Sequence, residues 1–185
     1  MSKEQKILDT ALKLFVEDGF QGTPTSKIAK EAGVANGTLF HYFATKETLI
    51  QELYIHVKNE LNQYLLSVID PNDDIKATTK KAFIYAILWS LENPEKFHFT
   101  QQVHFSPHVA KIPEEVVQEQ TKLYTQLIES AKSQGLLKPM PTDLIFTLVH
   151  SQMMGIFQYL LTKPKGQQHE IIDQGFELVW TLISI

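Results

Sequence analysis

Residues 23–46 read TPTSKIAKEAGVANGTLFHYFATK, from Thr23 to Lys46. The spacing is that of a helix, a tight turn and a second helix. Thr23 is a good N-cap, and Pro24 suits the first helical position. Ile28, Ala29 and Ala32 supply the buried side of the first helix, with Ala29 small where two helices must cross closely. Gly33 sits where the backbone needs a positive φ. Val34 and Leu39 close the small core from the second helix. Two helices this short bury little alone, so Ile7, Phe15 and Leu49 are expected to support them. The result is a rigid presentation of residues 35–42, with Asn36, Thr38, His41 and Tyr42 facing outward. Asn reads adenine bidentately, Thr meets a thymine methyl or a phosphate, and a helix N-terminus favours phosphate. A three-helix core with no nucleic-acid role has the same spacing, so the residues alone leave both readings open.

Outward from this stretch the chain is helical almost everywhere. Ile7, Ala11, Leu14 and Phe15 form one apolar face of a first helix, which Gly19 ends. A fourth helix starts after Thr45 and runs through Leu49, Leu53, Val57, Leu61 and Leu65 to about Ile69. A fifth spans about Ile75 to Glu92. Residues 95–112 read as irregular, with short helical fragments. A helix from Pro113 to Gln134 follows, and two more span Thr142–Leu161 and Glu170–Ser184. Clean strand alternation is missing. The expected class is all-α, about nine helices in total. A three-helix domain with its helix-turn-helix at about 25–44 occupies residues 1–62. A larger helical domain occupies 63–185.

Composition narrows the classes. The 185 residues are 43% hydrophobic, enough for a sizeable core. With no cysteine, disulfides and thiolate metal sites are excluded. The first residues lack a signal-peptide pattern, and no apolar run reaches membrane-spanning length, so a soluble, cytoplasmic protein is expected. The net charge of −4 argues mildly against nucleic acid. Residues 1–50 balance lysines 3, 6, 13, 27, 30 and 46 against acids 4, 9, 17, 18, 31 and 47. The chain has no arginine, so bidentate arginine readout of guanine is excluded.

From Ile7 to about Tyr54 the sequence resembles the N-terminal domain of the TetR family of transcriptional regulators. The matching features are IL..AL.LF...GF..T in Ile7–Thr23, IAKEAGV in Ile28–Val34, GTLFHYF in Gly37–Phe43 and TKETL in Thr45–Leu49. The resemblance implies an all-α homodimer on a palindromic or pseudo-palindromic operator in double-stranded DNA, usually a repressor released by a small ligand. Carried onto this chain, it implies a recognition helix Asn36–Tyr42 with Ala35, Asn36, Thr38, Phe40, His41 and Tyr42 toward DNA. It also implies backbone contacts from Thr23, Thr25, Ser26 and Lys27, and a phosphate contact from Lys46. Two departures stand out. Ala35-Asn36 replaces the family's common Ser-Lys, and Thr25 stands where an aliphatic residue is usual.

Past residue 60 the resemblance is architectural; it implies that residues 1–62 are the DNA-binding domain and residues 63–185 a helical ligand-binding and dimerisation domain. Val149, Met153, Ile156 and Leu160 share one helical face; Ile172, Phe176, Val179 and Ile183 share another. The family reading makes Val149, Gly155, Ile156, Leu160, Ile172, Phe176, Val179 and Ile183 a dimer interface, with Gly155 allowing close approach. The alternative is burial of both stripes inside one subunit. Phe83, Ile87, Trp89, Phe97, Phe99, Phe105, Tyr124, His150, Met153 and Met154 mix bulky apolar surface with a few polar tips. That is the usual lining of a pocket for a small, apolar or aromatic effector; ordinary core packing is the competing reading.

The remaining candidates are histidines. Glu95-Lys-Phe-His98 is one E-x-x-H, where a helical di-metal centre needs two plus further glutamates. His104 and His108 stand four apart with Pro107 between them. No nucleophile-elbow or phosphate-loop motif is present. Neither a cofactor, nor a metal site, nor catalysis is expected. The competing class is an all-helical metal- or cofactor-dependent enzyme with a vestigial helix-turn-helix.

Overall fold

The computed structural model describes residues 1–108 and 111–185. In chain order the helices are α1 (Lys3–Gly22), α2 (Thr25–Glu31), α3 (Asn36–Tyr42), α4 (Lys46–Val68), α5 (Ile75–Glu92), α6 (Pro94–His104), α7 (Glu114–Ser133), α8 (Thr142–Leu160) and α9 (Gln168–Ile183). The all-α expectation and the helix count hold for the described residues. The chain forms two compact units, Met1–Glu60 with Asn93–Val117, and Leu61–Glu92 with Gln118–Ile185. The first unit therefore includes a later segment that a single boundary near residue 62 leaves out.

In the first unit, Ser2 caps α1 by accepting from the Gln5 backbone N–H at 3.1 Å. Ile7, Ala11, Leu14 and Phe15 are buried, as their spacing requires. Gly19, at φ 72°, ends the regular part of α1. Thr23 then turns inward. It is buried, and its hydroxyl shares one proton between the Leu14 and Gly19 carbonyls at 3.1 and 2.8 Å. Those oxygens belong to the unravelling end of α1, so Thr23 caps the helix behind it. Pro24, not Thr23, holds the N-cap position of α2. After α2, Gly33 at φ 67° allows Val34 N–H to reach Ala29 and Gly33 N–H to reach Lys30, a Schellman end. Thr45 caps α4 by accepting from the Thr48 N–H at 3.0 Å.

The stretch 95–112 is more regular than its prolines suggest. Pro94 stands at the start of α6, where a missing N–H costs nothing, and the helix runs to His104. Val109 and Ala110 lie outside the described residues. Phe99 and Val103 of α6 are buried. Phe99 stacks on Phe15 at 6.2 Å and meets Phe20 edge-on at 6.1 Å.

In the second unit α5, α8 and α9 enclose a core. Phe83 meets Phe176 edge-on at 5.6 Å, and Phe176 stacks on Trp180 at 5.8 Å. Gly175 is where α9 approaches α8 closely. A Cβ there would lie 2.5 Å from Ile156 Cδ1. Lys80 bridges α5 to Asp173 and Glu177 of α9 at 2.7 and 2.9 Å. The C-terminus is pinned by Lys138 N–H to the Ile183 carbonyl, 2.8 Å, and Ile185 N–H to the Leu136 carbonyl, 3.1 Å.

Thr23→Val keeps the volume and removes the hydroxyl, leaving the buried Leu14 carbonyl and the partly buried Gly19 carbonyl without it. We expect a loss of about 1–2 kcal/mol in unfolding free energy, read by urea denaturation. No loss would show that the α1–α2 junction does not depend on this bond.

Candidate nucleic-acid interface

The helix-turn-helix is built from a small closed core. Ile28, Ala29, Leu39 and Phe43 are buried, as are Leu49, Ile50 and Leu53 of α4. The opposite side of α3 faces solvent. Ala35, Asn36, Phe40, His41 and Tyr42 are exposed and Thr38 partly so. Phe40 and Tyr42 are 43% and 41% exposed, unusual for aromatic rings with a core available to them. His41 and Tyr42 meet edge-on at 5.6 Å. On α2, Ser26 is exposed and Thr25 partly so. Most of the expected α2 and α3 residues are thus at least partly exposed.

Three expected contacts are altered. Thr23 is buried in the α1–α2 junction and does not reach the surface. Lys27 is held by Asp18 at 2.7 Å, which raises its pKa through that hydrogen bond. Lys46 is turned inward. Its ammonium donates to the Phe20 carbonyl, lies 6.0 Å from the Phe15 ring centre, and has its pKa lowered by burial. It ties α4 to the end of α1 instead of presenting a charge. The neighbouring Glu47 faces Lys111 at 3.7 Å, and Gln51 donates to the Lys111 carbonyl at 2.7 Å. Sequence position alone cannot show this, because a lysine stem reaches inward or outward equally well.

The matches to known proteins follow the two parts of the chain. A family model of bacterial regulatory proteins, tetR family, matches residues 7–53, and a tetracyclin repressor-like C-terminal domain model matches residues 54–185. The chain belongs to the TetR family. A TetR-family transcription regulator from Shewanella sp. PV-4 is 33% identical, with TM-score 0.93 and both chains covered to 100%. The fatty acid metabolism regulator protein of Bacillus subtilis is 36% identical over 87 residues, 46% of this chain and 42% of its own length. The transcriptional repressor KstR2 of Mycobacterium tuberculosis is 24% identical over 189 residues, covering 94% of this chain and 92% of that protein. The chain spans less than half the length of the first curated relatives it matches.

For this TetR-family regulator, the residues expected to line a pocket divide between the units. Phe97, Phe99 and Phe105 lie in the first unit, where Phe99 is core and Phe105 is 80% exposed. Phe83, Ile87 and Trp89 are buried in the second. There Tyr124 of α7 and His150 of α8 come together around Phe146, at 6.0 and 5.9 Å between ring centres. Burial raises the Tyr124 hydroxyl pKa. Met153 and Met154 on α8 are partly buried. The sequence reading missed Phe146, Asn62 and Gln120. Gln120 is buried and lies four residues before Tyr124 and eight before buried Ile128, a polar residue within an apolar helical stripe. That interruption was legible in the sequence.

The expected dimer stripes are corrected. Leu160, Ile172, Phe176, Val179 and Ile183 are buried inside the second unit, and Val149 and Ile156 pack against the same core. Their amphipathic phase faces inward because α5 already covers them. Gly155 is exposed with nothing within 4 Å of a Cβ added there. Among the described residues no group of three or more His, Cys, Asp or Glu residues is placed to hold a metal, and no helix is long and apolar enough to cross a membrane.

Lys46→Met is expected to lower thermal stability while leaving the slope of log K against log[salt] for DNA binding unchanged. A lost phosphate contact would instead reduce that slope by about 0.9.

Proposed function

We propose that the protein is a dimeric transcriptional repressor that leaves a palindromic or pseudo-palindromic operator when its second unit binds a small apolar or aromatic effector. The observation carrying the DNA reading is the exposed face of α3. It leaves Phe40, His41 and Tyr42 in solvent beside Asn36, on a helix whose other side is locked by Leu39. With Lys27 and Lys46 engaged elsewhere, affinity rests on amide and hydroxyl groups, aromatic contact and helix N-termini.

Dimerisation finds support in an apolar surface next to the corrected stripes. On α8, Tyr159 is 53% exposed, near Gly155; on α9, Leu178 and Leu182 are 75% and 47% exposed, one helical turn apart. A second copy covering this surface removes it from water and allows close approach at Gly155. Such a dimer sets two α3 helices one turn of DNA apart, about 34 Å, or a multiple of it.

The effector reading rests on Tyr124, Phe146 and His150 gathered in the second unit. The relatives named for fatty acid metabolism and the ketosteroid regulator KstR2 suit apolar ligands of that kind. A ligand that binds the second unit better in the DNA-incompetent conformation shifts the population off the operator. This is a cytoplasmic regulator's work, and it calls for no catalysis.

Selection of binding sites from random DNA, followed by gel shift, tests the interface. His41→Ala with Tyr42→Ala is expected to weaken the selected site by about 2–6 kcal/mol, taking about 1–3 kcal/mol for each lost contact. Equal binding by both proteins contradicts the assignment. Separately, Leu178→Glu with Leu182→Glu should turn the particle into a monomer by light scattering and abolish tight operator binding. A double variant that stays dimeric assigns the interface to another face.

A further inference from the structure

Helix α3 presents its outward face without a strong cation. Its seven residues, Asn36 to Tyr42, include neither lysine nor arginine. Of the lysines flanking it, Lys27 is paired with Asp18 and Lys46 is turned toward the Phe20 carbonyl. Lys30 is exposed, but on the last turn of α2. In the major groove guanine offers two acceptors, N7 and O6, and reading both takes the paired donors of an arginine or a lysine. On α3 no side chain holds such a pair. His41 meets a base edge with one ring N–H at a time.

The groups that α3 does present suit adenine and thymine. The amide of Asn36 sets an N–H donor beside a carbonyl acceptor, the complement of adenine N7 and its N6 amino group. Against guanine the same carbonyl would face O6, acceptor against acceptor. Asn36 is exposed, and Phe40 lies four residues later, on the same side of the helix. The Phe40 ring is 43% exposed, while Leu39 and Phe43 are buried in the core. An apolar ring held in water gains by covering a thymine C5-methyl, which the other three bases lack. Gly37, two residues before the buried Leu39, lies on the side of the helix opposite to it. Its φ is outside the left-handed region, and a Cβ added there meets nothing within 4 Å. Neither the backbone nor packing among the described residues calls for glycine here, and glycine weakens a helix relative to alanine. A bare backbone in the middle of the outward face lets a base edge come close.

We propose that α3 selects adjacent A·T base pairs, Asn36 reading an adenine and Phe40 the methyl of a neighbouring thymine. This rests on the DNA reading given above and names the bases that reading leaves open. Gly37 sets the depth, bringing the helix near enough for the short Asn36 side chain to reach its base. Phosphate contacts elsewhere on the unit hold the protein in register and do not discriminate between bases.

In the test, the full chain selects sites from random DNA, and gel shift compares the selected site with altered copies. Replacing the adenine read by Asn36 with guanine should weaken binding about five- to a hundredfold. Exchanging thymine for deoxyuridine at the Phe40 position removes only the methyl and should weaken binding about three- to fourfold, a difference that Phe40→Ala should erase. Asn36→Lys should move the preferred base at one position from adenine to guanine. Gly37→Ala should raise the Tm and yet weaken the selected site. A wild-type preference for guanine under α3, or a base preference unmoved by Asn36→Lys, overturns the adenine assignment and leaves the DNA reading standing. Equal binding of thymine and deoxyuridine copies at every position overturns the role of Phe40. Undiminished binding by Gly37→Ala overturns the depth assignment. If no site is selected at all, the DNA reading falls and the base preference with it.

Discussion

The first unit depends on one aromatic contact, Phe15 of α1 between Phe20 and Phe99. Helices α2 and α3 have seven residues each and cannot bury enough surface to hold a fixed crossing. They borrow rigidity from α1 and α4, and α1 in turn packs its buried face on α6. The reading head and the later segment Asn93–Val117 therefore form one body. The rings of α6 and α1 that join them are Phe99, Phe15 and Phe20.

The same economy explains the electrostatics. The chain has no arginine, and residues 1–50 carry as many acids as lysines. Two of those lysines are engaged in architecture: Lys46 ties α4 to Phe20 and Lys27 meets Asp18. What remains on α3 is aromatic and amide chemistry, better suited to reading groove edges than to neutralising phosphates.

Much of the fold was legible because helical periodicity and punctuation agree. The Gly19 and Gly33 stops both take positive φ. Ile7, Ala11, Leu14 and Phe15 are buried where the period puts them. The α2–α3 surface was legible for the same reason, since a short helix with one buried side has its other side outward. Less was legible where a side chain had two options. Thr23 reads equally as a cap ahead of α2 or behind α1. Pro94 reads as a breaker and acts as a helix start. The α8 and α9 stripes read as apolar without saying whether their partner is α5 or a second subunit.

Those limits mark the division between sequence and structure in this protein. The amino-acid order by itself determined the helical class, the helix-turn-helix and the residues α3 turns outward, because each follows from local periods and backbone preferences. Only the tertiary structure decided that α6 joins the first unit and that Thr23 and Lys46 point inward. It likewise decided that Ile172, Phe176, Val179 and Ile183 are core while Leu178 and Leu182 are not. Each of these depends on which distant element fills the space beside a side chain, and no period along the chain contains that information.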